Sequence, residues 1–237
     1  MSVVTMSADD AGWAAEVMHA RRRVYATYSP VFWRPAADPV PGHAAFLARQ
    51  IAGDDVVALR TDHGFVVGQI RGSGGGIDDF AVTDPELWAT HGRSLLDAAL
   101  AQMHERGAAE VQVVTAQQDI PKSVMLTDAG LTLVNQWWVK PLAPGADSVE
   151  PGRRDGAGFS GILGAAPPVY DPGGPVFLVQ RLEGSVPVEA VEAAAAEWGA
   201  VLAVIPAAPD GDRPEQLSAA GFAVASDWYL SRSPAVD

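Results

Sequence analysis

Two neighbouring carboxylates, Asp78 and Asp79, interrupt an apolar run, Ile77-Asp-Asp-Phe-Ala-Val82. A carboxylate held out of bulk water is a candidate general base. Side chains alternate along a strand, so the two are expected on opposite faces, with one of them toward a substrate pocket. The competing reading pairs both with arginines or water at a strand edge. Ten residues beyond Val82, Gly92 opens a helical pattern. The first turn of a helix leaves backbone N–H groups unpaired and carries partial positive charge. A glycine there lets an anion reach the backbone, so strand, turn and Gly92 together form a candidate phosphate cradle. His91, beside it, either donates to a phosphate or is an ordinary helix-end histidine. The five histidines show no ligand spacing and cysteine is absent, so no metal site is assigned.

These residues need elements to hold them, and periodicity supplies a set. Val3–Met6 reads as a strand, with Ser7 and Asp10 spaced to cap the helix that follows. Trp13, Val17, Ala20 and Val24 recur at helical spacing to about Tyr25, and Gly42–Ala52 reads as a second helix. Val56–Arg60 and Phe65–Arg71 flank a turn and predict a hairpin. A strand over Ile77–Val82 and a helix over His91–Glu105, with Leu95, Leu96, Ala99 and Met103 on one face, come next. Val111–Thr115 (strand), Pro121–Asp128 (helix) and Leu131–Lys140 (strand) complete the order β-α-α-β-β-β-α-β-α-β. Residues 143–160 have linker composition.

Beyond that stretch the pattern returns. At an offset of about 91 positions, Asp119 falls on Asp210, Lys122 on Arg213 and Leu126 on Leu217. Gly130-Leu131 falls on Gly221-Phe222 and Trp137-Trp138 on Trp228-Tyr229. Glycine, tandem aromatics and charge coinciding in one register point to a duplication. The second copy is read as the later half only, with a strand at Val176–Val179, a helix near Val188–Trp198, then strand, helix and strand.

The first copy resembles the GNAT superfamily of acyl-CoA N-acyltransferases. Ile77–Val82 is similar to that family's strand, Gly92-Arg-Ser-Leu-Leu96 to its helix start, and Asp119-Ile-Pro-Lys122 with Ala129-Gly-Leu131 to its downstream helix and closing turn. The Pro30-Val-Phe-Trp-Arg-Pro35 loop adds to the resemblance. It implies an α/β (α+β) fold with a mixed central sheet flanked by helices, followed by a truncated half unit. It also implies acetyl-CoA as acyl donor, held by Phe80, Ala81, Val82, Thr90, His91, Gly92, Arg93, Ser94, Asp119 and Lys122. Asp79 matches a position where the family often places a carboxylate. Tyr28, Phe32 and Trp33 fall where the acceptor-side loop lies, with packing under the sheet as the alternative. Departures are plain: Leu87 replaces Gln or Arg, Thr90 replaces a glycine, and Leu126 stands where a tyrosine acid is usual.

The expected organisation is therefore a GNAT-like domain over 1–142, a linker over 143–160, and a half unit over 161–237. The implied activity is N-acetyl transfer to a small amine by direct attack; the alternative is a degenerate binding or dimerisation protein. In the second copy Glu183 aligns with Gly92, and a carboxylate repels phosphate, so this copy is expected not to bind coenzyme A. Its apolar face must be covered by the first domain or by a second chain in a homodimer. The 237 residues carry 48% hydrophobic and 19% charged residues, which excludes general disorder. A net charge of -13 argues against nucleic acid and anionic membranes as partners, the one compact basic patch being Arg21-Arg22-Arg23. Without a secretion signal or spanning segment in the sequence, a cytoplasmic location is expected.

Overall fold

The first copy folds in the expected order in a computed structural model that describes residues 2–143 and 150–233. It comprises β1 (Val4–Thr5), α1 (Ala11–Tyr28), α2 (Pro39–Ile51), β2 (Val56–Thr61), β3 (Gly64–Arg71), β4 (Gly74–Val82), α3 (Arg93–Glu105), β5 (Glu110–Ala116), α4 (Ile120–Asp128) and β6 (Thr132–Pro141). The second contains β7 (Gly152–Gly156), β8 (Phe159–Gly164), β9 (Val176–Leu182), α5 (Val188–Glu197), β10 (Leu202–Ala207), α6 (Arg213–Ala219) and β11 (Ala223–Arg232). The β7–β8 hairpin lies where a linker was expected to run, so the second copy begins earlier than its sequence pattern suggests. Gly152-Arg-Arg-Asp-Gly156 has no apolar alternation because β7 is an edge strand with only β8 beside it.

The described strands form one mixed sheet in the order β1-β2-β3-β4-β5-β11-β6-β10-β9-β8-β7. The two copies exchange their last strands: β11 lies against β5, and β6 lies against β10. The glycine and leucine equivalences read from the sequence hold in three dimensions, whereas Asp119 is the buried N-cap of α4 and Asp210 is exposed, the N-cap of α6 being Asp212. Gly130 and Gly221 have φ of 83° and 82°, the left-handed conformation glycine tolerates, each just past its helix. Leu126 and Leu217 are both fully buried.

One core packs α3 and α4 on the sheet through Ile77, Phe80, Leu95, Leu96, Met103 and Leu126. On the opposite face α1 and α2 pack through Ala14, Met18, Leu47, Phe65 and Ala81. The buried stripe of α1 continues through Arg21, Arg22 and Tyr25, while Val24, expected inside, is 38% exposed. The supposed basic patch is thus mostly interior, with Arg23 alone of the three on the surface. Burial of two guanidinium groups demands partners, and these partners define the site. The second copy has its own core, which includes Phe159, Phe177, Val191, Ile205 and Leu217. Its other face meets Val31 and Phe32 of the first copy, so the first domain covers it.

Candidate functional site

Alternation fails at the two carboxylates. Val67 pairs with Asp79 and Gly68 with Ile77, leaving Asp78 as the extra residue of a β-bulge. Ile77 and Phe80 consequently face the core under α3, while Asp78 and Asp79 both line cavities on the α1–α2 side. The expectation of opposite faces is corrected by this one inserted residue.

The two carboxylates differ in environment. Asp79 is buried, accepting from Arg22 Nη2 at 3.1 Å and from His43 Nε2 at 3.0 Å. Arg22 Nη1 lies 3.0 Å from His43 Nδ1, and Arg22 Nε donates to the Tyr170 hydroxyl at 3.1 Å. Burial pushes Asp79 up, but the His43 hydrogen bond and the charges of His43 and Arg22 outweigh it and hold the carboxyl below its usual range. Asp78 opens onto the cavities, and no ion pair or hydrogen bond to it is found among the described residues. Protein surrounding its carboxylate, then the charge of Asp79, raises its pKa. Two adjacent carboxyls pushed in opposite directions form a base-and-anchor pattern.

Asp78 stands where three cavities meet. A groove of about 930 Å³ runs along β4 and β5 beside Phe46 and Arg49. A second space of about 330 Å³ lies between α2 and the segment carrying Tyr170. A third, about 310 Å³, is apolar and lies between the copies, walled by Phe32, Trp33, Trp137 and Trp228. Of the three expected acceptor-side aromatics, Phe32 and Trp33 reach this cavity. Tyr28 packs beside Tyr25 instead, with ring centres 6.2 Å apart.

On the opposite side, where β4 and β5 part, the expected coenzyme site contains the protein's own side chains. The two strands pair only from Gly74 with Glu110 to Ile77 with Val113. Beyond that, the fully buried Lys122 bridges the gap: its Nζ donates to Phe80 O at 3.2 Å and to Val114 O at 2.9 Å. The ammonium also lies 5.0 Å and 5.2 Å from the ring centres of Phe80 and Trp88. Burial lowers its pKa to about 8, opposed by Asp119. Asp119, the helix N-cap, is itself fully buried; it is paired with Arg21 and accepts from the Tyr25 hydroxyl at 2.8 Å.

The cradle expected at Gly92 is likewise closed. Residues Pro85–Leu87 form a 3₁₀ turn and Trp88–Gly92 a π-helical turn running straight into α3, so Gly92 lies inside a helical run and not at its start. At the true start, Asp84 Oδ1 accepts from Glu86 N at 2.9 Å and Asp84 O from Leu87 N at 3.0 Å. A Cβ on Gly92 would fall 2.5 Å from Trp88 Cε3, so the glycine makes room for a tryptophan ring. Trp88 is 1% exposed and packs edge-on against Phe80, ring centres 4.9 Å apart.

The remaining expected coenzyme residues are engaged elsewhere. Ala81 and Val82 are buried in the two cores. Thr90 Oγ1 turns back to Leu87 O, and Arg93 pairs with Asp97 at 2.8 Å. His91 Nδ1 lies 3.0 Å from Thr61 Oγ1, its pKa lowered by burial and His63. Ser94 is half-buried on the first turn of α3. None of the three cavities around Asp78 touches Trp88, Gly92 or Lys122. In the second copy Arg213, aligned with Lys122 but half-exposed, donates to Val186 O, Glu183 O and Gly184 O at 3.0–3.1 Å, all in the one turn that follows β9, and does not bridge two strands.

Sequence reasoning missed Arg22, His43, Trp88 and Tyr170. Trp88 carried a usable signal, a bulky ring within a turn expected to hold glycines. Tyr170 carried none, because its position depends on contact between the copies.

A mixed sheet with parting parallel strands and helices on both faces is the fold of GNAT acetyltransferases. Solved structures with this fold include a Thermoplasma acidophilum protein assigned as an acetyltransferase, at TM-score 0.63 and 9% identity over 98% of this chain and 100% of its own. A GCN5-related N-acetyltransferase from Sphaerobacter thermophilus matches at TM-score 0.56 and 10% identity, over 100% and 97% of the two chains. At such identity the likeness concerns the fold. No protein-family model and no curated protein matches the chain. Among the described residues no helix is long and apolar enough to cross a membrane.

Proposed function

We propose that this chain is a small-molecule binding protein on an acetyltransferase fold, with its acyl-CoA slot closed by its own side chains and its acceptor side kept open. The observation that carries this reading is Lys122, whose ammonium holds the backbone carbonyls of both parting strands. A pantetheine arm entering there would have to displace a buried cation from its two carbonyl hydrogen bonds and from the faces of Phe80 and Trp88. Trp88, packed behind Gly92, supports the same reading. Asp78, unpaired at the meeting of three cavities, supports an intact ligand site on the other face.

A second reading, acyl transfer from acetyl-CoA to a small amine, draws on the fold and on the raised pKa of Asp78, which suits a base. Calorimetric titration of the protein with acetyl-CoA and free coenzyme A separates the two. The binding-protein reading expects no heat of binding from wild type. Saturable binding, followed by acetylation of any amine in a screen, would establish the transferase reading.

A further inference from the structure

We propose that the second copy serves as the gate of the cavities at Asp78: the stretch 165–172, in the connection between β8 and β9, lifts from the first copy about its glycine ends and admits the ligand. The inference rests on the binding-protein reading for the existence of a ligand, and on geometry alone for the gate. β8 and β9 pair antiparallel and precede the helix of their copy, as β3 and β4 do in the first. β3 and β4 are joined by Gly72-Ser73 alone, whereas β8 and β9 are joined by Ala165-Ala-Pro-Pro-Val-Tyr-Asp-Pro-Gly-Gly-Pro175. Hairpin connections seldom exceed about five residues, so the extra length calls for a use.

Its contacts show that use. The segment leaves its own copy and sets Tyr170 opposite Pro35 in a single antiparallel bridge. Ala36 N donates to Val169 O at 3.1 Å, and Asp171 N donates to Arg34 O at 2.9 Å. Pro167 and Tyr170 both wall the cavity between the copies and the space beside α2, so they stand between two volumes that share Asp78. Lifting the stretch joins about 310 Å³ and about 330 Å³ into one site. Gly164 lies at one end and Gly173-Gly174 at the other, Gly173 with a φ of 97° that glycine tolerates. Prolines 167, 168 and 172 fix the backbone between them, which gives a stiff flap on two pliable ends. Among the described residues its other polar contacts with the first copy come from two arginines. The exposed Arg34 donates to Asp171 O and pairs with the Asp171 carboxylate at 3.9 Å, an ion pair that contributes little. Buried Arg22 donates to the Tyr170 hydroxyl and also holds Asp79, so this latch ties closure of the flap to the carboxylates.

The chain has no cysteine, so single thiols can report on the gate without background. Ser226→Cys places one on the wall of the cavity between the copies, at a position 1% exposed, and Ala99→Cys places one in the first core, at 0%. Alkylation of the full chain by iodoacetamide, followed by mass spectrometry, reads how often each thiol is uncovered. S226C is expected to react faster than A99C by about tenfold or more, as local opening outpaces global unfolding. Adding Tyr170→Phe removes the latch hydroxyl and should speed S226C by about tenfold again, the effect of losing a hydrogen bond to a charged donor, without the same gain at A99C. Arg34→Cys and Asp171→Cys are exposed neighbours across the bridge, where Cα atoms lie about 5.5 Å apart, within the reach of a disulfide. Once oxidised, that staple should slow S226C to the rate of A99C. A rate at S226C no faster than at A99C, or one that the staple leaves unchanged, would overturn the gate. No ligand enters these measurements, so acetyl-CoA binding by wild type would overturn the closed-slot reading and leave the gate standing.

Discussion

Lys122 has to be buried and hydrogen-bonded at once, and its titration records the conflict. In an unfolded chain it titrates near 10.5, and in the fold at about 8. Between those values the unfolded chain binds the extra proton, so stability rises as pH rises through that window. The gain amounts to about 3 kcal/mol. Urea unfolding of wild type and Lys122→Met at about pH 7.5 and pH 10 isolates it: wild type should gain on the variant at the higher pH. An unchanged difference would mean that the ammonium keeps its proton in the fold. The lysine was legible in the sequence as a candidate; its role was not. A lysine on the first turn of a helix looks solvated until the partner strands are known to part beneath it. The pair Asp78 and Asp79 was also legible, and only the bulge, which periodicity cannot register, changed their faces.

Gly92 and Trp88 define the closed turn before α3 together. The missing side chain of one is the space taken by the ring of the other, with 2.5 Å between ring carbon and the position of a Cβ. Gly92→Ala is therefore expected to destabilise by about 1–3 kcal/mol, as overpacking does. In the double variant Gly92→Ala, Trp88→Leu much of that penalty should vanish, giving a coupling energy above about 0.5 kcal/mol in a double-mutant cycle by chemical denaturation. Additive losses would show that the glycine and the ring are independent. The helix and strand order of this region could be read directly because its apolar spacing is strong. The π-helical turn could not, since Leu87-Trp88-Ala89-Thr90 satisfies a loop or a helix equally well.

At the scale of the molecule, each copy completes its sheet with a strand from the other. A chain of residues 1–142 would leave β5 and β6 without β11 and β10, exposing unpaired edges. Such a fragment is expected to aggregate or fail to fold, and mixing it with residues 143–237 as a separate chain should restore a soluble complex, read by size-exclusion chromatography. A stable, monomeric 1–142 would contradict the exchange as a structural requirement. The duplication was visible in the register of Gly130 with Gly221 and of the tandem aromatics. The exchange was hidden, because pairing between distant strands leaves no periodicity of its own.

That exchange also sets an order of events during synthesis. Strand β5 leaves the ribosome early, yet its neighbour β11 follows only after α4, β6 and all of β7 to α6 have been made. Until then the nascent chain carries a bare strand edge beside a half-built cavity, the kind of surface that invites aggregation. The cavity between the copies, to which β11 contributes Trp228 and Ser226, therefore cannot exist on a partly made chain.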